Sequence, residues 1–232
     1  MQIRFRVESL DGLAADIQST VLAAVIYAFD VPLKKGGEYS VQAGDGIKGI
    51  RATWHFQSDT EGNSPKAIIK RWKDESWQAQ NPGDPLTRCK VAFDAFFHMK
   101  KSLKERRGYD HFDTTKPSCR VENTRMAACL VGMGHPVIGW HWTDMGAAWH
   151  FDQTAATDAH LIHDEQLISK VPDCDVAYVK GAIFGHEAML RELHDPKEFR
   201  VEHKGRIATI GKHIPQGKLD SLERIFYRKQ KQ

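Results

Sequence analysis

Asp175-Val176-Ala177-Tyr178-Val179-Lys180-Gly181, with the segment Glu187 to His194 behind it, is the stretch on which the fold turns. Its first seven residues read as a strand ending at glycine. Glu187 to His194 reads as a short helix with Met189, Leu190 and Leu193 on its apolar side. Ile207-Ala208-Thr209-Ile210 then leads into the loop Gly211-Lys212-His213-Ile214-Pro215-Gln216-Gly217-Lys218, and Leu219 to Tyr227 closes as a strand.

The N-terminus repeats that order. Ile3-Arg4-Phe5-Arg6-Val7 alternates, placing three apolar residues on one sheet face and Arg4 and Arg6 on the other. Leu13 to Phe29 carries Leu13, Ile17, Val21, Ala24, Val25 and Ala28 at helical spacing, with Asp11 as the expected N-cap. A glycine-rich loop, Lys34 to Gly49, precedes a second alternating strand, Ile50 to Phe56. The expected fold class is therefore α+β: a ferredoxin-like (RRM-like) βαββαβ core with a Gly-rich loop before its last strand and a large, thumb-like insertion. The expected organisation is 1–57 as the first half of the core, 58–135 as a basic insertion, and 136–232 as the second half.

Within the insertion, Glu61-Gly62-Asn63 signals a turn, Lys66 to Trp72 is a basic apolar run, and Asn81 to Pro85 is a Gly/Pro loop. Lys90 to Glu105 follows as a helix whose C-terminal end is crowded by Lys100, Lys101, Lys104, Arg106 and Arg107. Part of that crowding suits the helix dipole. Val137 to Phe151 reads as a hairpin about Asp144-Met145-Gly146, with Trp140, Trp142 and Trp149 available for packing or for stacking on unpaired bases.

Composition bounds the possibilities. At 41% hydrophobic and 27% charged residues the chain is of ordinary globular type. No apolar run approaches the roughly 18 residues of a membrane span, and no secretory signal is evident, so the expected compartment is the cytoplasm, without membrane partners. Cys89, Cys119, Cys129 and Cys174 form no CxxC pair, so packed thiols are expected. The net charge is only +3, but fourteen Lys or Arg stand against eight Asp or Glu between Lys66 and Arg125. Such a basic segment suits a phosphate backbone.

The loop from Gly211 to Lys218 is Gly-Lys, four residues, Gly-Lys. Glycines let backbone N–H groups approach phosphate, and Lys212 and Lys218 add charge. An ordinary nucleotide P-loop is excluded, because Leu219 stands where Ser or Thr is needed and a strand is expected next. In its setting, after Tyr178-Val179-Lys180-Gly181, Ala188 to Leu193 and Ala208 to Lys212, the loop resembles the C-terminal half of the RAMP superfamily of CRISPR proteins. Leu10-Asp11-Gly12-Leu13 also resembles that superfamily, and specifically the subunit of type IV complexes that caps the guide RNA 5′ handle. The likeness covers about a third of the chain, at its two ends. One departure is Gly217-Lys218-Leu219, where the family often has Gly-x-Gly.

The resemblance implies a non-catalytic crRNA-binding subunit with no cofactor. Its partners would be the crRNA, a repeated backbone subunit, a large subunit and, through the complex, target DNA. The RNA contacts expected are Gly211, Lys212, His213, Gln216, Gly217 and Lys218, with Arg4, Arg6, Lys66, Lys70, Arg71, Lys100, Lys101, Lys104, Arg106 and Arg107. An alternative is a metal-independent endoribonuclease that processes repeat RNA, using His213 or His55 with a lysine. A plasmid or phage DNA-binding protein is a further one. His135, His141, His150, His160 and His163 cluster in sequence, but no set of three or four metal ligands is fixed by their spacing.

Overall fold

The computed structural model describes residues 7–11, 14–33, 39–42, 51–57, 64–144, 146–164, 174–194, 199–203 and 206–210. The chain is α+β and divides into two compact units, Met1–Ala67 with His186–Gln232, and Ile68–Gly185. Among the described residues no helix is long and apolar enough to cross a membrane.

The first unit holds a six-stranded sheet. Its strands are β1 (Val7–Asp11), β2 (Ala14–Ile17), β3 (Tyr39–Gln42), β4 (Arg51–Gln57), β8 (Phe199–His203) and β9 (Arg206–Ile210), in the order β1-β2-β4-β3-β8-β9. All neighbours are antiparallel except β3 and β8. Helix α1 (Thr20–Ala28) follows β2 and is buried along Val21 to Ile26. The helix expected from Leu13 begins later, because Ala15 and Ile17 alternate inward with Asp16 outward and pair with Phe56 and Trp54 of β4. Asp11 belongs to β1, and the helix N-cap is Ser19, whose hydroxyl accepts from Leu22 N–H at 3.3 Å.

The strand order does not confirm a ferredoxin-like core. In that fold the first strand lies beside the third and the third beside the second, as β2, β4 and β3 do here. The fourth would flank the first, but β1 occupies that place, and β8 lies parallel to β3 instead.

The second unit is mainly helical. It includes α2 from Ile68 onward (Pro65–Lys73), α3 (Glu75–Gln80), α4 (Pro85–Glu105), α5 (Thr124–Gly132) and α6 (Ala156–His163). It also holds a small antiparallel sheet of β5 (Cys119–Val121), β6 (Gly139–Thr143) and β7 (Gly146–Phe151), in the order β5-β7-β6. Pro85, expected in a loop, is instead the first residue of α4, where its missing N–H costs nothing; Asp84 caps it by accepting from Leu86 N–H at 2.8 Å.

The strand expected at Asp175–Gly181 is the start of a helix, α7 (Asp175–His194), whose first eleven residues belong to this unit. Val176, Val179, Ala182, Ile183, His186 and Met189 are buried, a spacing of three and four that only a helix satisfies. Over seven residues the period of two competed with it, and Gly181, taken as a terminator, is tolerated within the helix. Helices α4, α5 and α7 meet closely at Gly132, where an added Cβ would lie 2.7 Å from Arg88 O, 2.8 Å from Ala92 Cβ and 3.3 Å from Val179 Cγ1.

Candidate nucleic-acid interface and histidine chain

The small sheet has two chemically different faces because strand side chains alternate. On one face Trp149 is fully buried, stacks on Trp140 at 5.9 Å, and donates its indole N–H to Thr124 Oγ1 at 3.2 Å. Trp140 donates to Tyr109 O at 2.9 Å and meets Trp142 edge-on at 5.1 Å. Trp142, at the end of this row, is 51% exposed.

Arg106 lies over the Trp142 ring, its guanidinium 6.0 Å from the ring centroid. It is the C-cap of α4 and has a left-handed backbone (φ 52), with its N–H donated to Ser102 O. A non-glycine residue in that region is strained by about 1 kcal/mol or more. The strained cap turns the chain out of the helix toward the sheet. Lys100, Lys101 and Lys104 are exposed within the last two turns of α4, and exposed Arg107 pairs with Glu105 at 2.8 Å. Lys100 also covers the Phe96 ring at 5.4 Å. Five of the sequence-predicted cations thus gather at one helix end beside an exposed indole.

Lys70 is exposed on α2, and Arg71 covers Trp77 at 5.5 Å. Trp72 between α2 and α4 meets Phe93 edge-on, two helical turns before Lys100. Lys66 is exposed and belongs to the first unit. Arg4, Arg6, Gly211, Lys212, His213, Gln216, Gly217 and Lys218 lie outside the described residues.

The other face of the sheet carries a chain of polar side chains. Ser118 Oγ lies 2.7 Å from His150 Nδ1, and His150 Nε2 lies 2.7 Å from His141 Nδ1. Register explains the approach: His150 faces Gly139, which leaves room for His141 two residues along, and Arg120 faces His150 from β5. Phe112 stacks on the His150 ring at 3.9 Å and 11°. Burial, with His141 and Arg120 beside it, pushes the buried His150 down to about 4. His141 is also shifted down, by burial first and then by Arg120 and His111, against a smaller opposing effect of Glu122. Both imidazoles are therefore neutral at pH 7. Arg120 is half exposed and ion-paired with Glu122.

No protein-family model, curated protein or solved structure matches this chain.

Of the histidines weighed for catalysis from sequence, His55 lies in the first unit, opposite Asp16 across β2 and β4 at 2.6 Å, and His213 lies outside the described residues. The convergence of Ser118, His141 and His150 was missed. The signal was the register of the hairpin: pairing of Thr143 with Gly146 sets His141 against Ala148, one step diagonal from His150. Among the described residues no group of three or more His, Cys, Asp or Glu is placed to hold a metal ion.

Proposed function

We propose that the protein binds single-stranded RNA, as the crRNA 5′-handle subunit of a type IV CRISPR complex with a ferredoxin-like ancestry. The observation that carries RNA binding is the exposed Trp142 ring covered by Arg106 at the cationic end of α4. An exposed indole offers a stacking face to any unpaired base, worth roughly 1–3 kcal/mol per base, while lysines and arginines neutralise phosphates. Duplex DNA hides its base faces, so this arrangement favours a single strand. The type IV assignment rests on the sequence likeness at the two ends of the chain, and the guide RNA, the repeated backbone subunit and the large subunit are its partners in this reading.

The test is fluorescence anisotropy of a labelled repeat-derived RNA and of a matched DNA duplex across a salt series. Preferential, salt-sensitive RNA binding is expected. Trp142→Ala should weaken it by about 10-fold or more with the salt slope unchanged. Lys101→Ala and Lys104→Ala should each reduce the slope by about 0.7. Equal affinity for duplex DNA, together with no effect of Trp142→Ala, would refute the reading.

A further inference from the structure

On the sheet face opposite Trp140, Trp142 and Trp149, three side chains are bonded in one line. Ser118 Oγ lies 2.7 Å from His150 Nδ1, and His150 Nε2 lies 2.7 Å from His141 Nδ1. We propose that this line is a Ser-His-His triad that hydrolyses small carboxylic esters, with Ser118 as nucleophile, His150 as general base and Arg120 facing the oxyanion. A nucleophile, a base and a third group that orients the base, each within hydrogen-bond reach of the next, are the parts acyl transfer needs. The activity does not rest on RNA binding, which uses the tryptophan face.

The line also sets where the protons lie. When Ser118 donates to His150 Nδ1, the His150 proton sits on Nε2 and is donated to His141 Nδ1, so the lone pair of the base faces the hydroxyl. Phe112, stacked on His150 at 3.9 Å and 11°, holds the plane of that ring. His150 is buried, whereas Ser118 and His141 are only partly covered, so a substrate reaches the nucleophile while water is kept from the base. His141 and Phe112 touch the base rather than the substrate and are positioning residues. Arg120 pairs in register with His150 across β5 and β7; part of its guanidinium meets Glu122, and the remaining N–H groups can face an oxyanion formed beside Ser118.

The reaction needs only water as co-reactant. Ser118 Oγ forms a bond to the ester carbonyl carbon as its proton passes to His150 Nδ1. The bond from that carbon to the alkoxy oxygen then breaks, and the leaving oxygen takes the proton from His150, giving an acyl-serine and an alcohol. Water attacks the acyl-serine, gives a proton to His150, and the carboxylic acid leaves as Oγ is reprotonated. Burial keeps His150 neutral at pH 7, and it also makes the imidazolium formed in the first step a strong acid toward the leaving oxygen. A base that holds the serine proton so loosely suits esters, whose alkoxide or phenoxide departs readily, and not amides.

The test treats the full chain with p-nitrophenyl acetate and, separately, with a serine-directed fluorophosphonate probe, locating any adduct by peptide mass spectrometry. Turnover with an acetyl group or probe on Ser118 is expected. Ser118→Ala should abolish the adduct and slow turnover by about 100-fold or more, with the circular dichroism of the parent retained. His141→Leu should lower kcat with KM unchanged, and His141→Gln, whose amide oxygen can accept the His150 N–H, should recover part of the loss. Trp142→Ala should leave ester turnover within twofold. An unlabelled Ser118, or turnover that survives Ser118→Ala, overturns the triad and leaves the RNA reading standing. Equal kcat for His141→Leu and the parent overturns the role given to His141.

Discussion

Gly132→Ala and Gly185→Ala are the same substitution within two helices, and the structure gives them opposite signs. Replacing a helical glycine by alanine gains up to about 1 kcal/mol, chiefly by restricting the unfolded chain. At Gly185 in α7 nothing lies within 4 Å of the added methyl, so that gain stands alone. At Gly132 the methyl would sit 2.7 Å from the backbone carbonyl of Arg88, in the first turn of α4, and 2.8 Å from Ala92 Cβ one turn further on. Neither is the far end of a flexible side chain, so α4 and α5 must separate. Overpacking of this kind costs about 1–3 kcal/mol, and the propensity gain is small because Gly132 ends its helix. The net expectation is a loss of about 1–2 kcal/mol for Gly132→Ala and a gain of about 0.5–1 kcal/mol for Gly185→Ala. At roughly 4 °C per kcal/mol for a unit of this size, thermal melts followed by circular dichroism should move down by about 4–8 °C and up by about 2–4 °C. A Gly132→Ala variant that melts at or above the parent would show that α4, α5 and α7 do not meet as described.

Further outcomes follow from burial and charge. The fall of His150 from 6.5 to about 4 means that the unfolded chain binds a proton between those values which the folded chain does not, so stability is fully present above pH 6.5 and lost as the pH falls toward 4. The loss is at most about 3 kcal/mol, and urea melts of His150→Gln should lack that component of the pH dependence. Trp149→Ala should cost about 3–5 kcal/mol in the same assay, since the indole is fully buried and its N–H is bonded to Thr124. Cys89 and Cys129 are fully buried, with thiols raised well above the usual range by burial; native-state thiol titration should count neither until denaturant is added.

The elements legible in the sequence were those with a long or doubled signal. Helix α4 carried its pattern over more than four turns and ends where expected, though it starts at Pro85 rather than Lys90, and the hairpin of β6 and β7, which combined aromatic alternation with a turn, lies within the expected Val137 to Phe151. Asp175 to Gly181 failed because seven residues fit two periods at once, and only the extension through Ala182, Ile183 and Met189 decides between them. Ala14 to Ile17 failed in the reverse direction: Leu13 and Ile17 are four apart, but the buried pair is Ala15 and Ile17, set by pairing with Phe56 and Trp54 across forty residues of sequence. The cationic end of α4 was visible as composition. That Arg106 reaches Trp142 depends on a left-handed cap and a tertiary contact, which no local pattern specifies.

His141 and Trp142 are consecutive on β6, and their contacts lie on different faces of the sheet: His141 meets His150, while Trp142 meets Trp140. A base stacked on Trp142 therefore lies on the face opposite His141 and His150, and the outer edge of β6 between the two faces is closed at Trp140, whose N–H bonds Asp110 O at 3.0 Å and whose carbonyl accepts from Phe112 N–H at 2.8 Å. In the proposed complex the strand follows the first face, along Trp142, Arg106 and the lysines of α4. Trp142→Ala should consequently weaken binding while His141→Gln leaves affinity within twofold, and replacing single bases by abasic sites along the RNA should weaken binding at one position. If His141→Gln weakened binding as much as Trp142→Ala, the RNA would not be held on the tryptophan face.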